Sequence, residues 1–144
     1  MKLMKSVVAV VGLVVVSLVA LPARVDACSC AVMDVPNARR AAALVFEGTL
    51  IRMEQATEGT ARGTFRVRRV WKGNVGREIT LNVPPTMSMC PPHFEEGQTY
   101  IVYAEPGPRV GACARWGAGA MLEQERRALG NPVRTYRRRP PPPG

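Results

Sequence analysis

Four cysteines constrain this chain more than any other feature, because all of them (Cys28, Cys30, Cys90 and Cys113) lie beyond an apparent export signal. Lys2 and Lys5 supply a positive n-region, and Val7 to Leu21 form an apolar run broken only by Gly12 and Ser17. That run, fifteen residues long, falls short of the ~20 needed to span a bilayer, which argues against a retained anchor. Pro22 ends it, and Val25 and Ala27 are small residues three positions and one position before Cys28, the pattern a signal peptidase cuts. Residues 1–27 are therefore expected to be a secretory signal peptide, and the mature protein to begin on Cys28. Val25-Asp26-Ala27-Cys28 loosely resembles a lipidation box. Asp26 fits that box poorly, and a thioether lipid would remove Cys28 from disulfide pairing. Simple secretion, to the periplasm or the exterior, is the expectation.

Without the signal 117 residues remain, enough for one core and not for two. The mature chain carries 17 Lys and Arg against 10 Asp and Glu, and only Lys72 among those cations is not arginine. An even number of cysteines in a small exported chain implies two disulfides, since such domains rarely bury enough apolar surface alone. The Cys-x-Cys pair with two distant single cysteines lacks the paired spacing of structural zinc sites. Pairing Cys28 with Cys30 would close a tiny, strained ring. The two other pairings both tie the head of the mature chain to Cys90 and Cys113, and spacing does not choose between them. Either closes loops of 60 or more residues, each adding ~4 kcal/mol in the chain-entropy model. Either would also hold residues 28–30 rigidly where most termini fray.

Asp34-Val35-Pro36-Asn37 is a helix start signal, with proline tolerated in the first turn, and Ala38 to Leu44 is Ala-rich enough for about two turns. Val45 to Ile51 turns strand-like, and Gly48 within it points to a bulge or a close backbone approach. Glu54 to Gly63 is polar and reads as a loop. Thr64 to Trp71 alternates, then slips at Arg68-Arg69, as at a second bulge. Lys72-Gly73-Asn74 is a turn, and Ile79, Leu81 and Val83 repeat at period two. Pro84-Pro85 and Pro91-Pro92 bracket a loop holding Cys90, and Tyr100 to Ala104 runs apolar, like a strand buried on both faces. Met121, Leu122, Glu125 and Leu129 make a helical stripe that Gly130 would cap. Residues 131–144, which run to Arg137-Arg138-Arg139 and a closing run of four prolines, read as a disordered basic tail. Short strands followed by a helix in about 100 residues suggest a small β-barrel.

The Cys28-Ser29-Cys30 start, the Ser88-Met89-Cys90 segment, and Cys113 followed by Met121-Leu122-Glu123-Gln124-Glu125-Arg126-Arg127 together resemble the tissue inhibitor of metalloproteinases family. The likeness is to its N-terminal, netrin-like domain and covers roughly residues 28–130. It implies a mainly β fold, a five-stranded OB-type barrel with a short N-terminal helix and a C-terminal helix. It also implies the pairings Cys28–Cys90 and Cys30–Cys113. By the same likeness, the α-amine and carbonyl of Cys28 would chelate the zinc of a target metalloprotease, displacing its attacking water. Ser29 would enter the pocket beside that metal, and Ser88 and Met89 would form a second contact ridge. The third disulfide and the C-terminal domain of the animal proteins have no counterpart here, as in a minimal, bacterial-style single-domain relative.

The other candidates read as structural. His93, the only histidine, has no second ligand near it in sequence. Glu95-Glu96 before Gly97 reads as a charged loop, and Trp71 and Trp116 as core or rim packing. No nucleophile–base constellation or Gly-rich phosphate loop is present, so no enzyme, cofactor or intrinsic metal is expected. The alternative to an inhibitor is a secreted, disulfide-stapled binding module. Arg66, Arg68, Arg69 and Arg77 fall on or near neighbouring strands of a fold type that often binds polyanions, and Arg137, Arg138 and Arg139 would suit an anionic glycan, cell wall or outer-leaflet surface. Export argues against nucleic acid as the partner, and a monomer is expected.

Overall fold

The computed structural model describes residues 28, 30–55, 59–85 and 90–137. Residues 1–27, where a signal peptide is expected, lie outside them. Two long strands, β1 (Leu44–Gln55) and β2 (Ala61–Lys72), pair antiparallel and form the centre of the fold. β3 (Glu78–Val83) continues the meander beside β2, while β4 (Thr99–Ala104) pairs with the other edge of β1 and β5 (Trp116–Ala118) with β4. The order is β3-β2-β1-β4-β5, and β6 (Arg134–Thr135) adds beside the far end of β2. The result is a mainly β, antiparallel sheet of six strands with two helices and two disulfides. β3 and β5 do not pair, so the ladder stays open where a closed five-stranded barrel was expected.

The register of β1 against β2 shifts three times, between Val45 and Phe46, Glu47 and Gly48, and Leu50 and Arg52. At the second shift Arg68 is the extra residue, and Gly48 is there because its backbone lies against β2. A Cβ at that position would sit 3.1 Å from the Arg66 carbonyl and 3.3 Å from Phe65. These bulges bend the sheet, so that Phe46, Leu50, Phe65, Phe94, Tyr100 and Val102 meet in one core on its concave side. Edge-to-face contacts run from Phe46 to Phe65, Phe65 to Phe94 and Phe94 to Tyr100, with centroids 4.9–5.7 Å apart.

The opposite face of β1 and β4 is covered by the helices, which explains why Tyr100 to Ala104 is buried on both sides. Helix α1 (Val35–Ala41) starts at Asp34, whose carboxylate accepts the Asn37 N–H at 2.9 Å. It ends earlier than the Ala-rich run suggests, because the Ala43 N–H already bonds to Ala104 and carries the chain into the sheet. Lys72 Nζ donates to the carbonyls of Arg39 and Arg40, closing the end of the helix. Helix α2 (Met121–Leu129) ends at Gly130, whose N–H bonds to Arg126 O and whose φ is +71°. Val35, Ala38, Ala42, Val45, Trp71, Ile101, Tyr103 and Leu129 form the second core between helices and sheet.

Three expectations need correction. Residues 54–63 are not simply a loop: β1 runs to Gln55 and β2 begins at Ala61. Their inward positions, Ala61 and Gly63, are too small to register as apolar periodicity; Gly63 leaves room for Leu50, whose Cδ1 would lie 3.2 Å from a Cβ there. Met121 is half exposed, so the buried stripe of α2 is Leu122, Glu125 and Leu129. Residues 131–137 are not a disordered tail. Val133 N–H bonds to Val70 O and Tyr136 N–H to Arg68 O, both at 2.8 Å, and the Tyr136 hydroxyl donates to Val75 O. β2 would otherwise have unpaired backbone groups at that edge, which explains why so polar a segment adds a strand. Residues 138–144 lie outside the described residues.

Candidate functional site

The two disulfides converge on Cys28 and Cys30. Cys28 is bonded to Cys90 and Cys30 to Cys113, with Cα–Cα separations of 5.4 and 5.2 Å. This is the pairing the family likeness implies. The two receiving cysteines are themselves tied together, since the Cys113 N–H donates to Pro91 O at 3.0 Å. Cys113 has φ +68°, the left-handed region, which costs a non-glycine residue about 1–2 kcal/mol. The crosslink and this hydrogen bond hold it there. The Cys90 loop is fixed to the core on its other side. Phe94, four residues on, is buried against Phe65 and Tyr100, and the Glu95 N–H donates to the Tyr100 hydroxyl.

From Cys30 to Asp34 the chain forms neither helix nor strand, and two further ties hold it. Asp34 caps α1, and the Met33 carbonyl accepts from Arg115 Nη1 at 2.6 Å. Between them the side chains of Val32 and Met33 point outward, Val32 with 95% of its surface in solvent. Among the described residues it is the most exposed large apolar side chain. A strip anchored at 28, 30, 33 and 34 thus presents an apolar apex to solvent.

Arg115 is held by a carboxylate that the sequence hides. Glu125 stands in the buried stripe of α2, 2% exposed, and accepts from Arg115 Nε and Nη2 and from the Tyr103 hydroxyl at 2.8 Å. Burial, then the bond to Glu125, pushes the Tyr103 phenol well above its usual range. The hydrogen bond to Glu125 raises the Arg115 guanidinium above its ordinary value. α2 approaches the sheet closely here, and only glycine fits beneath it: a Cβ on Gly117 would lie 2.7 Å from Glu125 Cγ.

A second buried carboxylate anchors the helix to β1 and β2. Glu47, 1% exposed, accepts from Arg69 Nη1 on both oxygens, at 2.9 and 2.8 Å, and from Arg126 Nε and Nη2 at 2.8 and 3.1 Å. Burial alone would raise its pKa, but the bonds from Arg126 and Arg69 outweigh that and hold it below the ordinary value. Arg69, counted in the sequence with a basic face, is therefore committed to Glu47.

Of the other sequence candidates, Ser29, Ser88, Met89, Arg138 and Arg139 lie outside the described residues. His93 is exposed, Glu96 accepts the Met53 N–H, and Trp71 is buried with its indole N–H on Gly130 O at 2.8 Å. Trp116 packs obliquely on Tyr100. Arg66 lies 3.7 Å from Glu78, whereas Arg77 sits over the Tyr136 ring, 5.2 Å from its centroid. All four cysteines are bonded, and no group of three His, Cys, Asp or Glu is placed to hold a metal among the described residues. The two disulfides fit an extracellular or otherwise oxidising environment, and no described helix is long and apolar enough to cross a membrane.

Sequence reasoning missed Glu47, Arg115 and Glu125 as positioning groups. The one available signal was a glutamate at an apolar-stripe position of α2. No protein-family model matches the chain, and no curated protein matches it either.

Proposed function

We propose that the mature protein is an exported relative of the tissue inhibitors of metalloproteinases and inhibits a zinc metalloprotease through the amine and carbonyl of Cys28. The observation that carries this is the clamped strip: two crosslinks and the Arg115–Met33 bond hold a segment with exposed apolar Val32. A binder that enters an enzyme's cleft gains from such rigidity, because little freedom is lost on binding. A head stapled only for stability would have no need to leave Val32 outside the fold.

Cleavage after Ala27 would free an α-amine on the same residue as a carbonyl oxygen, and the two would close a five-membered chelate on the target's zinc. The open coordination position of a catalytic zinc accepts such ligands. An unperturbed α-amine titrates at ~7.7–8.0, so ligation must release a proton. Ser29 would lie beside the metal, with Ser88 and Met89 brought alongside by the Cys28–Cys90 bridge. In this reading the sheet curls toward the family's five-stranded OB-type barrel. Two backbone bonds support that, from Asn82 N–H on β3 to Pro108 O at 3.0 Å and from Val110 N–H to Asn82 O at 2.8 Å.

The test is a chain extended by one alanine before Cys28. The extension displaces the chelating amine and leaves the folded domain untouched, so it should abolish inhibition of a metalloprotease panel without changing the melting temperature. Equal inhibition by the native and extended forms would refute the mechanism. Mass spectrometry of the non-reduced mature protein locates the cut and any lipid on Cys28.

A further inference from the structure

β6 brings together cations that lie far apart in sequence. Its backbone covers the edge of β2 from Arg68 to Val70, directly after the stretch that β3 covers, and the 74–77 loop fills the junction. Arg77 stacks on one side of Tyr136, while Arg134 Nη1 reaches the Tyr136 hydroxyl at 3.4 Å, Asn74 Oδ1 at 3.2 Å and Val75 O at 3.3 Å. Arg68, Arg77, Arg134 and Arg137 are all exposed, and none makes an ion pair among the described residues. The sequence then adds Arg138 and Arg139. Elsewhere on the sheet Arg52 is paired with Glu54 at 3.2 Å and Arg66 with Glu78 at 3.7 Å, while Arg62 is exposed with no ion pair among the described residues and has no second free cation beside it on its strand face.

One more side chain distinguishes this edge. Val133, next to Arg134, is 69% exposed although its own N–H is bonded into the sheet. Arginines favour phosphate, which their fork can engage bidentately, and an apolar side chain among them has no role against a fully hydrated polymer. It does have one at the headgroup–acyl boundary of a bilayer. We infer that the β6 edge, built from Arg77, Arg134, Val133 and Arg137, is a peripheral docking surface for anionic phospholipid. β6 lies at the opposite end of β2 from Val83, after which the chain enters the Cys90 loop. The inference therefore stands independently of inhibition by Cys28.

The mature, disulfide-bonded protein should co-sediment with phosphatidylcholine vesicles only when they contain phosphatidylglycerol, and less so as salt rises. Each arginine near an anionic surface is worth about 1 kcal/mol, about fivefold in partitioning, so Arg77→Gln with Arg134→Gln should lose about thirtyfold. Arg62→Gln with Arg66→Gln makes the same change in net charge on the strand face and should stay within about twofold of wild type. Arg137→Gln touches no described contact and should lose about fivefold alone; it carries the test if the first pair fails to fold. Val133→Ser should lose about threefold on vesicles and nothing on a soluble sulfated polysaccharide. Equal losses from the two arginine pairs, binding to phosphatidylcholine alone, or binding to the polysaccharide without binding to vesicles would each overturn the proposal.

Discussion

Glu47→Gln tests whether the buried carboxylate on β1 joins α2 to the sheet. The substitution is nearly isosteric, so it leaves no cavity and isolates the charge. In the wild type both oxygens receive hydrogen bonds from two guanidinium groups, all at 2.8–3.1 Å. A glutamine keeps one accepting oxygen and turns an NH2 group toward an arginine, where no acceptor waits. Charge-assisted bonds contribute about 1.5–3 kcal/mol each, and breaking a buried pair costs about 3–5 kcal/mol when the partner is left stranded. Arg69 and Arg126 keep 30% of their side-chain surface in solvent and can rehydrate. The net loss should therefore be smaller, about 2–3 kcal/mol. Urea unfolding should show it as a lower midpoint with an unchanged slope.

The same carboxylate fixes the sign of a pH effect. Its folded pKa lies below the ordinary value of 4.5 that it takes in the unfolded chain. Its contribution is then complete above the unfolded value and is given up as pH falls through 4.5 toward the folded one. Wild-type stability should decline on acidification in that window, and Glu47→Gln should remove this part of the decline. A loss below about 0.5 kcal/mol, or additivity with Arg126→Gln in a double-mutant cycle, would refute the coupling.

The elements read correctly from sequence are those where local chemistry and tertiary burial agree. Asp34 caps α1, Gly130 ends α2, Gly48 sits at a register shift, and Tyr100 to Ala104 is buried on both faces. The elements missed are those that exist only because something else covers them. β5 is three residues long and is a strand only through its pairing with β4. β6 carries two exposed polar residues whose sole reason for order is the open edge of β2. The site divides in the same way. Cysteine count and position announced a stapled head, because covalent chemistry is visible in one dimension. The hydrogen bond from Arg115 to Met33 was not visible, since it joins residues 82 apart in the chain and its arginine is held by a carboxylate on a third element.

Gly117→Ala should cost about 1–3 kcal/mol, since the new methyl meets a Glu125 side chain that Tyr103 and Arg115 hold in place. A thermal melt within error of wild type would show that α2 can move away. Arg115 offers a sharper test of how the head is positioned. Its fork reaches Glu125 with Nε and Nη2 while Nη1 holds the Met33 carbonyl, a span that one ammonium group cannot cover. Arg115→Lys should then retain the ion pair and most of the stability, yet speed amide hydrogen exchange at residues 31–33. Unchanged exchange there would mean that the disulfides alone hold the strip. Faster exchange together with weakened protease inhibition would connect the buried Glu125 on α2 to the exposed Val32 through one arginine.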